Sequence, residues 1–212
     1  MIRIAAAAFF ALLALAGWAG YVPPMKNEIT EADRALVAAA IAAPGAPAMG
    51  EGDCLLVVSV RDQRMSFSTG GVVRAVYTVS TAKAGVGALA NSEKTPAGWH
   101  EVAEWIGADA VPGQVFVSRK PTGEIIPYGA WRSDAAADKV LTRVMWLDGL
   151  EPGRNKGGRV DSHARFIYIH GTNQEHLLGR PASHGCIRMY NRDVMELFAE
   201  TSGHRTFCLV AG

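Results

Sequence analysis

Residues 165–193 read RFIYIHGTNQEHLLGRPASHGCIRMYNRD. The first six alternate, with Phe166, Tyr168 and His170 on one side of an extended chain and Ile167 and Ile169 on the other. That is the period of a strand with one face in a core. Gly171 follows, a residue that lets the backbone turn. Ser183-His184-Gly185-Cys186 forms a turn of small residues around a cysteine set between glycine and, two residues on, Arg188. Asn191 is placed to cap a helix, Asp193 suits its positive N-terminus, and Val194, Leu197 and Phe198 make an apolar stripe at helical spacing. Ser202-Gly203 ends that helix, and residues 205–210 read as a last strand.

Upstream the pattern is also one of strands. Residues 55–60, 64–69 and 72–80 are short, rich in valine and separated by tight turns, the mark of a meander. Residues 115–118 and 140–147 add β-branched strands, while the glycine-rich, charged stretch 148–162 reads as a long exposed loop. Many strands and one helix argue for a mainly β sandwich over 51–212. Residues 22–50 read as a connector: Thr30 can cap a helix through Ala42, and Pro44 and Pro47 mark a linker. This alanine-rich helix is only weakly amphipathic, so a stalk is expected rather than a core element. At the start, Met1-Ile2-Arg3 precedes the apolar run IAAAAFFALLALAGWA. A basic start followed by such a run is a signal peptide or, given Trp18 and Tyr21, an N-terminal membrane anchor over 1–21. Either places the domain outside the cytoplasm, in the periplasm or cell envelope.

Lysine and arginine total 21 against 20 acidic residues, a net charge of +1, so the chain has no electrostatic footprint for nucleic acid. Three cysteines are too few for a disulfide scaffold. Cys54 and Cys208 lie in apolar, strand-like runs and read as small buried hydrophobes, and an oxidising compartment would permit a bridge between them. Cys186 stands in a different chemical setting.

A cysteine attacks a carbonyl as thiolate and needs a base within hydrogen-bond reach. His170, at the mouth of a buried strand, is the candidate base, and the Gly171 carbonyl could orient its ring. The N–H groups of Gly185 and Cys186 could meet a developing oxyanion. Arg188 adds positive potential and could hold a substrate carboxylate. His176 reads as a solvated loop residue, His184 as a structural hydrogen-bonding neighbour of the cysteine, and His100, His163 and His204 as surface residues. The tryptophans read as core or cleft wall. A different class of reading sets His163, His170, His176, His184 and Cys186 around zinc, but no pair has the tight spacing such sites use. A third is a catalytically idle wall-binding module.

His-Gly-Thr followed by Ser-His-Gly-Cys-Ile-Arg-Met, an asparagine and an aspartate resembles the signature of L,D-transpeptidase catalytic domains. Tyr77-Thr-Val-Ser-Thr81 and Thr95-Pro96-Ala97-Gly98 resemble the family's strand and its Thr-Pro-x-Gly loop, so the likeness spans the domain. It implies a β-sandwich with mixed sheets and a helix after the cysteine, with Cys186 as nucleophile and His170 as base. Gly171 would orient the base, Ser183, His184 and Gly185 would shape the oxyanion site, and Arg188 and Asn191 would organise the pocket or bind substrate. The implied substrate is the peptide stem of peptidoglycan, joined in 3→3 cross-links. Water or a lipoprotein amine as acceptor would make the same site an L,D-carboxypeptidase or an anchoring enzyme. No metal or cofactor is called for. Longer segments at 81–94 and 148–162 bear on the shape of the cleft.

Overall fold

A computed structural model describes residues 26–132 and 137–212; the leader or anchor expected over 1–21 lies outside the described residues. In chain order the elements are α1 (Glu31–Ala42), β1 (Cys54–Ser59), β2 (Arg64–Thr69), β3 (Val72–Ser80), β4 (Gly98–Ile106), β5 (Gln114–Val117), β6 (Lys120–Ile125), β7 (Val140–Gly149), β8 (Tyr168–Thr172), β9 (Ile187–Met189), α2 (Asn191–Thr201) and β10 (Thr206–Ala211). The chain is mainly β, and its layers belong to one mixed sheet ordered β4-β10-β1-β2-β3-β9-β8-β7-β5-β6, in which β4 also pairs with β7. That last pairing closes eight strands on themselves. Alternate residues of β1, β2, β3, β7, β8, β9 and β10 point inward, among them Leu56, Met65, Val79, Met145, Ile169, Ile187 and Cys208, and Val194, Leu197 and Phe198 of α2 join them.

The meander β1–β3 forms as its sequence predicts. The strand expected over 165–170 starts later, because Phe166 sits at φ +58° and only residues from Tyr168 onward pair. β4 carried no clear strand pattern, since a register shift between Val102 and Glu104 breaks its alternation. β6 was hidden by its composition: KPTGEI is exposed throughout and holds a proline and a glycine.

Two expectations are corrected by packing, and the reading of Cys54 and Cys208 as small buried hydrophobes is borne out. Helix α1 is not a free stalk: Val37 and Ala40 pack on Leu55, Val57, Trp99 and Phe207, covering the outer face of β1, β10 and β4. Thr30 and Asp33 close a capping box, and Arg64 meets the Asp33 carboxylate at 2.9 Å, so the helix is tied at its start as well as along its face. Cys54 and Cys208 sit on paired strands, but the parallel register sets Cys54 opposite Thr206 and Cys208 opposite Leu56, and both are buried free thiols. The stretch 148–162 is pinned rather than loose. Asn155, fully buried, donates to the carbonyls of Ala97 (3.1 Å) and Trp99 (3.0 Å) and accepts from the Glu151 N–H (2.9 Å). A side chain at Gly149 would strike the Asn155 backbone.

His100 completes this staple and is not a surface residue. Its Nδ1 lies 3.0 Å from the Gly98 carbonyl and its Nε2 2.9 Å from Ser162 Oγ. A carbonyl only accepts, so Nδ1 carries the proton and Nε2 accepts from the serine. Burial holds the imidazole neutral and pulls its pKa down to about 4. Because the folded pKa is depressed, the unfolded chain binds the extra proton first, and stability falls as pH drops from about 6.5 to 4. The expected loss at this site approaches about 3 kcal/mol by pH 4. Urea unfolding at stepped pH should show it in the parent and a smaller slope in His100→Gln; equal slopes would remove His100 from the account.

Candidate active site

β8 and β9 run parallel, with Ile169 opposite Ile187, His170 opposite Arg188 and Gly171 opposite Met189. Ile169, Ile187 and Met189 face the core. By the two-residue period, His170, Tyr168, Arg188 and Cys186 therefore share the opposite face. There Cys186 packs with Phe116, Val144, Trp146 and Tyr168.

The His170 ring is almost wholly buried, and its Nδ1 lies 2.7 Å from the Gly171 carbonyl. That contact puts the proton on Nδ1 and leaves Nε2 as a lone pair. Burial lowers its pKa, opposed by the Asp138 charge and the Gly171 bond and aided by Arg188. The result is a neutral imidazole able to accept a proton. Gly171 itself is required by close approach rather than by a turn: a Cβ there would collide with Asn191 Oδ1.

The Cys186 sulfur is half-buried and held by backbone. It accepts from the Tyr168 N–H and donates to the Phe166 carbonyl, each at 3.4 Å. Burial pushes the thiol up to about 11; the Tyr168 N–H, Arg188 and Arg165 lower it, and Asp138 raises it. The resting pair is therefore thiol and neutral imidazole. Thiol and ring share no direct hydrogen bond in this arrangement: the sulfur is engaged by Tyr168 and Phe166 and the ring by Gly171, so the contact expected from sequence is not made at rest. Such bonds are often long before substrate tightens them.

The turn before the sulfur is braced from two sides. Ser183 Oγ donates to the Cys186 carbonyl (2.6 Å) and accepts from the Gly185 N–H (3.2 Å). Thr95, fully buried, donates to the Gly185 carbonyl and accepts from the Ala82 N–H, both at 2.9 Å. Gly185 holds φ +134°, a conformation side chains rarely adopt. Its N–H is committed to Ser183, which corrects the expectation that it faces an oxyanion. His184 is exposed, and its ring has no hydrogen-bond partner among the described residues, so it is not the structural donor expected.

Arg188 and Asn191 are not substrate ligands in this structure, because both are fully buried. Arg188 reaches Gln174 Oε1 (2.9 Å), Asp138 Oδ2 (3.0 Å) and Ser80 Oγ (3.0 Å). Asn191 is the first residue of α2 rather than its cap. Its Nδ2 donates to the Thr172 carbonyl (2.8 Å) and Glu175 Oε1 (2.9 Å), and its Oδ1 accepts from Thr142 Oγ1 (2.6 Å). These residues lock the strand end that carries His170 to the helix behind it. His176 is half-buried rather than solvated, and His163 stacks on Trp146 with ring centroids 3.7 Å apart. Among the described residues no three His, Cys, Asp or Glu side chains converge as a ligand set.

Sequence reasoning missed Asp138, Arg165 and Arg119, whereas Trp146 is among the tryptophans it read as core or cleft wall. The Asp138 charge acts on both His170 and Cys186, and its carboxylate takes a bond from Thr172 Oγ1 (3.0 Å). Arg165 donates to the Lys94 carbonyl (2.7 Å) and lowers the Cys186 pKa. Trp146 and Arg119 wall the same face, the guanidinium lying 4.3 Å from the Trp146 ring centroid. Of these, only the adjacent cations Arg119 and Lys120 on a short hairpin could have drawn notice.

The family model of the L,D-transpeptidase catalytic domain matches residues 54–204, and the chain belongs to that family. YqjB of Bacillus subtilis, a protein assigned by its name to the L,D-transpeptidases, is 32% identical over 94 residues, which are 42% of this chain and 53% of that protein. The chain thus spans about half the length of this relative. Among solved structures, L,D-transpeptidase 3 of Mycobacterium tuberculosis with a faropenem-derived adduct is similar at 16% identity and a TM-score of 0.45, over 75% of this chain and 60% of that one. An Enterococcus faecium L,D-transpeptidase is similar at 17% identity and a TM-score of 0.44, over 75% and 50%. These likenesses concern the fold alone.

A thiol raised to about 11 holds on the order of a hundredfold less thiolate at pH 7 than an ordinary cysteine. Alkylation of Cys186 by iodoacetamide should be slower by that order and rise with pH well beyond 9. A rate profile with its midpoint below pH 7 would instead reveal a preformed thiolate–imidazolium pair.

Proposed function

We propose that this chain is a cell-wall L,D-transpeptidase that uses Cys186 as nucleophile and His170 as general base. The observation that carries the reading is the placement of a buried, neutral imidazole, its Nδ1 held by the Gly171 carbonyl, on the strand beside the one that Cys186 leads into. A base of that kind suits a thiol that starts protonated. Family membership supports the substrate class, the peptide stems of peptidoglycan.

In the first step His170 Nε2 takes the Cys186 proton as sulfur attacks the carbonyl joining the L-centre of diaminopimelate to terminal D-alanine. The imidazolium formed is stabilised by the Asp138 charge and by the Gly171 carbonyl on its other nitrogen. It then returns the proton to the D-alanine nitrogen, the C–N bond breaks, and a thioester remains. In the second step an amine of another stem gives its proton to His170 and attacks the thioester, and the thiol is regenerated beside a 3→3 cross-link. Water in place of the amine would give an L,D-carboxypeptidase, and a lipoprotein amine an anchoring reaction. The leader-like residues 1–21 support an exported or membrane-tethered enzyme, where such stems are found.

Purified disaccharide tetrapeptide should be converted to cross-linked dimer with release of D-alanine. Cys186→Ser and His170→Ala should fold and lose the reaction by on the order of a thousandfold or more. Dimers identify the transpeptidase and tripeptide monomers the carboxypeptidase. Full activity in Cys186→Ser would end the cysteine mechanism. Because the base stays unprotonated below its ordinary range, kcat/KM should hold its plateau to below pH 6.5 before falling on the acid side; an acid limb centred above pH 7 would contradict the lowered His170 value.

A further inference from the structure

Arg119 is a cation that the proposed chemistry leaves unused. It sits at the tip of the β5–β6 hairpin, where Val117 pairs with Lys120 and the two connecting residues, Ser118 and Arg119, take φ +48° and +67°. Two adjacent non-glycine residues in the left-handed region are strained, and glycine or asparagine would relieve that strain. What the turn achieves is the aim of one side chain. The guanidinium lies over Trp146 at 4.3 Å and beside the Phe166 ring at 5.1 Å. Its Nη1 donates to Tyr168 Oη at 3.4 Å.

Phe166 and Tyr168 are the residues whose backbone carbonyl and N–H hold the Cys186 sulfur. Arg119 therefore stands on the wall of the thiol's own cleft. No carboxylate of the described residues pairs with it; the nearby Glu104 instead approaches His163, at 3.7 Å. A guanidinium held over an indole ring is steadied by the ring's electrons and loses less freedom when it binds. The one partner it has, a tyrosine hydroxyl at long range, leaves the rest of that fork for an anion. Arg165, the other cation near the sulfur without a carboxylate partner, is spent on the Lys94 and Gly87 carbonyls.

We propose that Arg119 binds a free carboxylate of the acyl-donor stem and so selects donors that carry this charge; the inference rests on the acyl-transfer role of Cys186 given above. A tetrapeptide stem has such groups on D-glutamate, on diaminopimelate and on terminal D-alanine, and one fork can take any of them bidentately.

The test measures release of the terminal residue (D-alanine, or D-alaninamide from the stem amidated there) from the unmodified stem and from three stems each amidated at one of these carboxylates, using the parent, Arg119→Gln and Arg119→Lys. With the unmodified stem, Arg119→Gln should raise KM about tenfold, the loss of one charge-assisted contact, with the effect falling on KM rather than kcat. Arg119→Lys should lie between the two. With one amidated stem the parent's KM should rise to that of Arg119→Gln, and that stem identifies the group bound. An unchanged KM in Arg119→Gln overturns the proposal. So does a KM raised equally for all four stems, which is what a loosened Trp146 wall would give. If the parent releases the terminal residue from none of the stems, the acyl-transfer reading falls first and takes this inference with it. Alkylation of Cys186 by uncharged iodoacetamide reports separately whether the site of each variant is intact.

Discussion

The short parallel ladder between β8 and β9 is the constraint on which the site depends. It spans three residue pairs, yet it alone sets the strand that carries His170 beside the one that leads out of the Cys186 turn. So short a ladder cannot hold its register unaided, and its surroundings supply the rest. Arg188 anchors β9 to Ser80 at the end of β3 and to Asp138. Asn191 ties the end of β8 to α2. Thr95 and Ser183 clamp the turn before the sulfur. The Ser183 clamp is local to the turn, but those of Thr95 and Arg188 reach segments far apart in the chain, so the geometry is a product of the closed sheet and not of the motif alone.

This explains why the signature contains polar residues that no substrate could reach. A buried guanidinium and a buried amide are costly unless their hydrogen-bonding groups are met. Here Asp138, Gln174, Ser80, Thr142, Thr172 and Glu175 meet nearly all of them. Removing one partner would leave a desolvated group behind, so these positions are bound to one another as tightly as to the chemistry. The same burial favours the uncharged forms of the Cys186 thiol and the His170 ring, because neither an isolated thiolate nor an isolated imidazolium is well solvated there.

Much of this was legible in the sequence. Alternation and tight turns located β1, β2 and β3, and the spacing of Val194, Leu197 and Phe198 located the helix. The histidine and cysteine motifs led to one face of the sheet. What could not be read was burial decided by distant partners. His100 has no neighbour in sequence that marks it as internal; its partner Ser162 is supplied by the pinned loop. Arg188 looked like a substrate ligand because it is a cation beside Cys186, and Asn191 looked like a helix cap that the family resemblance also set in the pocket. Helix α1 looked solvent-bridging because its apolar face is made of small residues, which suffice where a helix lies close on a sheet. The strand β4 was lost to a bulge and β6 to residues that disfavour strands.

The closure of β4 onto β7 has one more consequence. Beyond that ring the sheet runs on through β5 to β6, whose outer edge pairs with no strand among the described residues. Its unpaired backbone groups could template the addition of a foreign strand, and its sequence guards against that: Pro121 removes a donor, Gly123 weakens the extended form, and Lys120 and Glu124 place charge along the rim. The residues that hid this strand from a pattern-based reading are thus the ones that keep neighbouring molecules from joining it.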